Sequence, residues 1–303
     1  MKRKVIFLAG KTGVISLPIN WLKSYDIKKG EELEITEILD GLLVSKPQAH
    51  PERKIEMNIT NINQRLIYRY LNSFYRQGYT EIKLFFENNQ KGALESIQKG
   101  CDSLIGIEIV KSSQNYCILK EVSNVKEGEF ETLLRRIFLI LLSTSKDLLN
   151  HLETKDISLI SSVYNYLDPE INRLFNLCQR IIAIDRKYWN KVISNTLLTE
   201  KLERIGDLYS EIARAFSKEI TLTQTSLEYF SETNSFLERF YNLFYKYKSE
   251  ELNQLHLDMK KLKEKINSLQ KDLTYQDIIL MTLQKEINNQ IREAIDDLIN
   301  IKI

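Results

Sequence analysis

Past Gly128 the chain holds one glycine, Gly206, and one proline, Pro169. All other glycines and prolines lie in the front part of the sequence. With almost nothing to punctuate it, the back half can hardly be anything but long helices. The pattern predicts six, near 128–152, 156–186, 189–218, 225–246, 248–273 and 275–301. Pro169 falls inside the second and predicts a kink or break there. In the fifth, Leu252, Leu255, Met259, Leu262, Ile266, Leu269 and Leu273 keep a heptad rhythm, the mark of a bundle seam.

The third helix is the most informative. Leu198, Leu202, Ile205, Tyr209, Ile212 and Phe216 form one apolar stripe. Glu200, Glu203, Asp207 and Glu211 fall roughly opposite. Gly206 sits between the two faces, where a glycine costs about 1 kcal/mol relative to alanine. Close approach of another backbone or a ligand would explain it. Glu203-x-x-x-Asp207-Leu208 has an echo in Glu293-x-x-x-Asp297-Leu298. The echo divides the helices into two groups of three, about 124–219 and 220–303.

The front of the chain reads differently. Val5–Leu8 and Val14–Leu17 are short strands around a Gly10–Gly13 turn, and Pro18 stops the second. A helical turn over Ile19–Tyr25 follows, then strands at Leu33–Ile35 and Leu42–Val44. A unit of residues 1–49 is too short to bury its own core, so a second copy should complete it. Residues 50–123 alternate as βαβαββ: a strand at Lys54–Ile59, a helix at Ile62–Arg76, a strand at Glu81–Phe86, a helix at Lys91–Lys99 capped by Gly100, and a hairpin from Ile105–Val110 and Tyr116–Val122. That order predicts a small α/β domain. Arg65, Arg69 and Arg76 share a helical face and are expected in solvent.

The net charge of +2 conceals an uneven distribution. Lys2, Arg3, Lys4, Lys11, Lys23, Lys28 and Lys29 stand against Asp26 alone in the first thirty residues, and Glu31, Glu32, Glu34, Glu37 and Asp40 follow. The unit should have one basic and one acidic side. Cys101, Cys117 and Cys178 have no CxxC spacing and are odd in number, which fits core residues in a reducing cytoplasm. Lys11 ends the first apolar run too early for a signal peptide, and Ile137–Leu142 is too short to span a bilayer. A cytoplasmic protein without membrane insertion is expected.

Gly-x-x-Gly-x-Ile-x-Leu-Pro, then a helix, then Ile27-Lys28-Lys29-Gly30-Glu31-Glu32-Leu33 and Gly41-Leu42-Leu43-Val44 resembles the AbrB/MazE/SpoVT swapped-hairpin barrels. The resemblance implies that two chains interleave into one DNA-binding barrel. It places Lys2, Arg3, Lys4, Lys11, Thr12 and Lys23 toward DNA. Lysine contacts to phosphate would give affinity with strong salt dependence. Arg3 alone is placed for bidentate base reading, so DNA shape would carry much of the specificity. The competing reading of these lysines is a solvated face on a dimerisation module.

Leu202-Glu203-Arg204-Ile205-Gly206-Asp207 with Ile212-Ala213 is similar to the PhoU signature, and Leu167-Asp168-Pro169-Glu170-Ile171-Asn172-Arg173-Leu174 resembles the matching segment one helix earlier. The implied fold is two tandem three-helix bundles over about 125–303. The multidomain, mainly α chain would then resemble the archaeal phosphate uptake regulators. In that family acid pairs hold divalent or trivalent metals such as iron or zinc; the matching positions are Glu203 and Asp207, then Glu293 and Asp297. Asn172 departs from the family pattern, which has an acid there. Expected partners are DNA, a second copy, and a phosphate-transporter ATPase or signalling protein. The alternative function is an adaptor on that transporter or on a sensor kinase, with residues 1–49 serving only dimerisation. No Glu-x-x-His pair or Ser/His/Asp set points to catalysis, and a non-enzymatic role is expected.

Overall fold

A computed structural model describes residues 2–38, 41–46, 52–87, 92–123, 129–268 and 273–303. The side chains of residues 38, 158, 159, 161, 162 and 164 lie outside that description. The chain divides into two units, Met1–Pro51 and Glu52–Ile303.

In the first unit β1 (Ile6–Leu8) pairs antiparallel with β2 (Thr12–Val14). The turn is Ala9-Gly10, with φ of 49° and 70°, closed by Lys11 N–H donating to the Leu8 carbonyl at 3.2 Å. Two left-handed residues in succession are the favoured link between twisted strands. The turn therefore lies earlier than Gly10–Gly13, and Thr12 and Gly13 belong to β2. Helix α1 (Ile19–Ser24) follows, then β3 (Glu34–Ile38) and β4 (Gly41–Ser45), a second antiparallel hairpin. Within one chain the two hairpins are separate sheets.

The second unit begins with the expected βαβαββ order: β5 (Lys54–Asn58), α2 (Gln64–Arg76), β6 (Glu81–Phe85), α3 (Ala93–Asp102), β7 (Ile107–Ser112) and β8 (Tyr116–Glu121). The sheet runs β5-β6-β8-β7, with β5 parallel to β6 and the other pairs antiparallel. Alternation assigns its faces. Ile82 lies opposite Leu119 and Leu84 opposite Cys117, all fully buried, while Lys83 reaches Glu56 and Lys120 reaches Glu81 on the outer face. Asn63 caps α2 by accepting from Leu66 N–H. Gly78, at φ 83°, ends it in a conformation other residues resist, and its missing side chain leaves room for Ile184. Gly100 does not cap α3. The helix runs past it to Asp102, and Gly100 is buried because an added Cβ would lie 2.6 Å from Leu71 Cδ1 on α2.

Six helices complete the unit: α4 (Glu129–Thr154), α5 (Ile157–Ile184), α6 (Val192–Ala215), α7 (Gln224–Tyr245), α8 (Ser249–Ser268) and α9 (Tyr275–Lys302). A 3-10 turn at Arg186–Lys191 leads into α6. Helices α4–α6 pack as one group of three and α7–α9 as another, joined by α6 against α9 and α4 against α7. The stripe from Leu198 to Phe216 is fully buried. Phe138 packs against Phe240, Tyr241 and Phe244 where the groups meet. Asn234 accepts from Tyr209 and donates to the Ser145 carbonyl, so one buried amide joins α6, α7 and α4.

Two expectations need correction. The break at Pro169 does not occur, since α5 runs through it; the buried flanking residues Leu167, Ile171 and Leu174 hold both halves in one core. The fifth helix does not reach residue 273; it is described as far as Ser268, and Leu269 lies outside the described residues. The N-termini of α7 and α9 share one carboxylate. Asp277 accepts from the backbone N–H groups of Thr223 and Thr274, each at 2.9 Å, and from the Thr223, Thr274 and Ser226 hydroxyls. Burial works to raise its pKa, but these bonds prevail and pull it down to about 2.

Candidate functional site

The basic face proposed for DNA is built on β1, its turn and α1. Lys2, Arg3, Lys4, Lys11, Thr12 and Lys23 are all exposed, and none of the five cations makes an ion pair among the described residues. The unit's acids are treated differently. Glu31 holds Lys46 at 2.8 Å and accepts from Lys28 N–H, and Asp26 lies 3.8 Å from Lys28. The hydrogen bond from Lys46 holds the Glu31 carboxyl below its ordinary range. Lys2, Arg3, Lys4, Lys11 and Lys23 are therefore offset by no ion pair among the described residues.

Apolar surface is left over as well. Ile6, Phe7 and Leu8 are 61%, 69% and 57% exposed, and Ile35 and Leu42 are 63% and 65% exposed. No described residue of this unit is buried. Large exposed apolar patches commonly mark interaction surfaces.

The acids of α6 form a different site. Glu203 and Asp207 face Asp168 of α5. Burial, then the neighbouring Asp207 charge, pushes Glu203 up to about 7; Arg76 of α2 pulls the other way. Burial, then the charge of Asp168 and a hydrogen bond with it, pushes Asp207 up to about 6. Arg214 donates to Asp168 at 2.6 Å, and Arg204 donates to Glu211 at 2.9 Å while lying 3.9 Å from Asp207. This arrangement retains protons near neutrality. Gly206 serves packing here: an added Cβ would lie 3.3 Å from Ile171 on α5 and 3.5 Å from Leu141 on α4.

The second pair is unlike the first. Glu293 is exposed, with Arg292 at 3.9 Å. Asp297 is buried and accepts from Lys201 of α6 at 2.6 Å. Among the described residues no group of three or more His, Cys, Asp or Glu side chains is gathered to hold a metal ion. The two pairs expected to hold iron or zinc thus differ: Glu203 and Asp207 have Asp168 as a third carboxylate beside them, whereas Asp297 is paired with Lys201.

Residues 6–52 match the family model of MazE, the bacterial antitoxin of antidote–toxin recognition. The N-terminal unit is a MazE-like domain. No curated protein matches the sequence. Among solved structures, the phosphate transport system regulatory protein PhoU from Streptococcus pneumoniae is similar at 18% identity and a TM-score of 0.47. The match covers 57% of this chain and 93% of that one.

Sequence reasoning treated some residues too simply. Arg76 is drawn in from solvent: it donates to Asn176 at 2.7 Å and its guanidinium lies 4.6 Å from the Phe175 ring centre. Arg180, fully buried on α5, donates to the Tyr75 and Tyr79 carbonyls and pairs with Glu121 at 3.0 Å. Nothing in the spacing of an arginine inside an apolar helix announces such partners. The three cysteines are buried and free, as expected, and burial pushes the Cys101 and Cys117 thiols up to about 11. No helix among the described residues is long and apolar enough to cross a membrane.

Proposed function

We propose that the chain is a dimeric, non-catalytic DNA-binding regulator of phosphate uptake. The observation carrying the first half is the N-terminal unit, which pairs exposed apolar hairpins with unpaired cations. A second copy laid on Ile6, Phe7, Leu8, Ile35 and Leu42 would remove that apolar surface from water. It would also double the set of Lys2, Arg3, Lys4, Lys11, Thr12 and Lys23, matching the two-fold character of duplex operators. The PhoU-like signature over Leu202–Asp207, on a pair of three-helix groups, supports the phosphate half of the reading.

The test uses the full chain and a variant carrying K2Q, R3Q, K4Q and K11Q. Mobility shifts at low salt should show the parent binding duplex DNA, with affinity falling steeply as salt rises. The variant should lose at least about tenfold and show a shallower salt slope, while sedimentation still reports a dimer. Equal binding by parent and variant refutes the DNA half. The adaptor reading draws on the same exposed apolar hairpins, which suffice for dimerisation alone. It predicts that the variant still regulates phosphate uptake in cells.

A further inference from the structure

Helices α8 and α9 each lean on α7 and leave a groove of about 220 Å³ between them. Its apolar part is Met259 and Ile266. Lys260 and Lys263 come from α8, and Lys285 and Arg292 from α9; among the described residues no carboxylate lines the groove. Lys260, Lys263 and Lys285 have no ion-pair partner among the described residues, and the partner of Arg292, Glu293, is 3.9 Å away. Some cations elsewhere on the helices are matched, as Lys201 with Asp297, Arg214 with Asp168 and Arg239 with Asp258. Four cations converging on one apolar concavity repel each other, and an anion between them relieves the repulsion. Asn289 adds an amide to the lining, and Asn288 brings a buried Oδ1 with no donor among the described residues. A ligand hydroxyl or amine would satisfy it.

We infer that this groove binds a phosphate-bearing small molecule, with phosphate oxygens on Lys263, Lys285 and Arg292 and the remainder against Met259 and Ile266. Charge-assisted bonds from lysine and arginine are the strong form of phosphate recognition. A concavity of this size suits a small anion rather than the long track a nucleic acid needs. The inference does not rest on the DNA reading, because the groove and the N-terminal unit share no residue.

Titration calorimetry of the full chain, free of magnesium, tests it with inorganic pyrophosphate, ATP and adenosine as probes. K263Q/K285Q is compared with K99Q/K146Q, which removes the same charge elsewhere on the surface. All four lysines are exposed, so both variants should keep the parent melting curve. Pyrophosphate or ATP should bind the parent and the control alike, with at least about tenfold loss in K263Q/K285Q. Pyrophosphate as good as ATP assigns the groove to inorganic phosphate chains; a clear preference for ATP assigns it to nucleotides. Binding of neither, or equal loss in the control, overturns the site.

Discussion

Three carboxylates of the helical half differ only in their surroundings, and their proton affinities separate accordingly. Asp277 collects backbone N–H groups and hydroxyls and is held at about 2. Asp297 is buried, which pushes it up, against the pull of the Lys201 ammonium. Glu203 is half-buried beside other acids, and burial and those charges raise it from 4.5 to about 7. A raised carboxyl means that the folded chain keeps a proton that the unfolded chain has released. Between pH 4.5 and about 7 the stability contributed by Glu203 is therefore lost as pH rises. E203Q removes that loss. After allowance for solvent screening it should gain about 1 kcal/mol, or about 2 °C in melting temperature, at pH 8. At pH 4 it should gain nothing. Thermal melts of chelator-treated protein at the two pH values decide it, and an equal shift at both would show that Glu203 is not the titrating group.

The elements owe their contacts to small residues placed at crossings, and two glycines make opposite predictions. In α3, alanine at position 100 would press on Leu71 at 2.6 Å. Overpacking of that kind costs about 1–3 kcal/mol, more than the helical preference of alanine returns. In α6, alanine at position 206 meets Ile171 at 3.3 Å, a contact a small rotation relaxes. There the gain of about 1 kcal/mol in propensity roughly offsets the crowding. Urea midpoints should therefore fall for G100A and stay near the parent for G206A. A comparable fall in both would mean that α5 and α6 are locked more tightly than their separation implies. The α6 stripe was legible in the sequence because helical period and apolar spacing coincide. The role of Gly206 was half legible, since spacing shows that something comes close and only packing says that it is Ile171.

At the scale of the whole molecule, Arg180 ties the α/β layer to the helices. It reaches the end of α2 through two carbonyls and the end of β8 through Glu121, and stacks over Tyr75 at 4.8 Å. R180A leaves Glu121 without its cation and the Tyr79 carbonyl without the Arg180 donor, while the Tyr75 carbonyl keeps Gly78 N–H; breaking a buried pair in this way costs about 3–5 kcal/mol. Hydrogen exchange should show α2 and β8 losing protection together with α5. Loss confined to α5 would mean that the layer and the helices are joined by apolar packing alone. Residues 52–303 form one unit because this buried link and a shared core run across the position where composition changes.

Local chemistry determined most of the elements. The scarcity of glycine and proline after Gly128 requires long helices, and the alternation before it requires short strands and turns. The shortness of residues 1–49 was the ground for expecting a second copy, since so few residues can hardly bury a core of their own. Tertiary structure decided which charges meet. Lys201 and Asp297 lie far apart in sequence yet touch at 2.6 Å; Asp168 joins Glu203 and Asp207 from another helix; three lysines of α8 and α9 with no ion-pair partner among the described residues line one groove with Arg292. Periodicity reports which face of a helix turns inward, because burial repeats with the helical turn. It says nothing of which neighbour that face meets, because helix crossings are set by packing of the whole core.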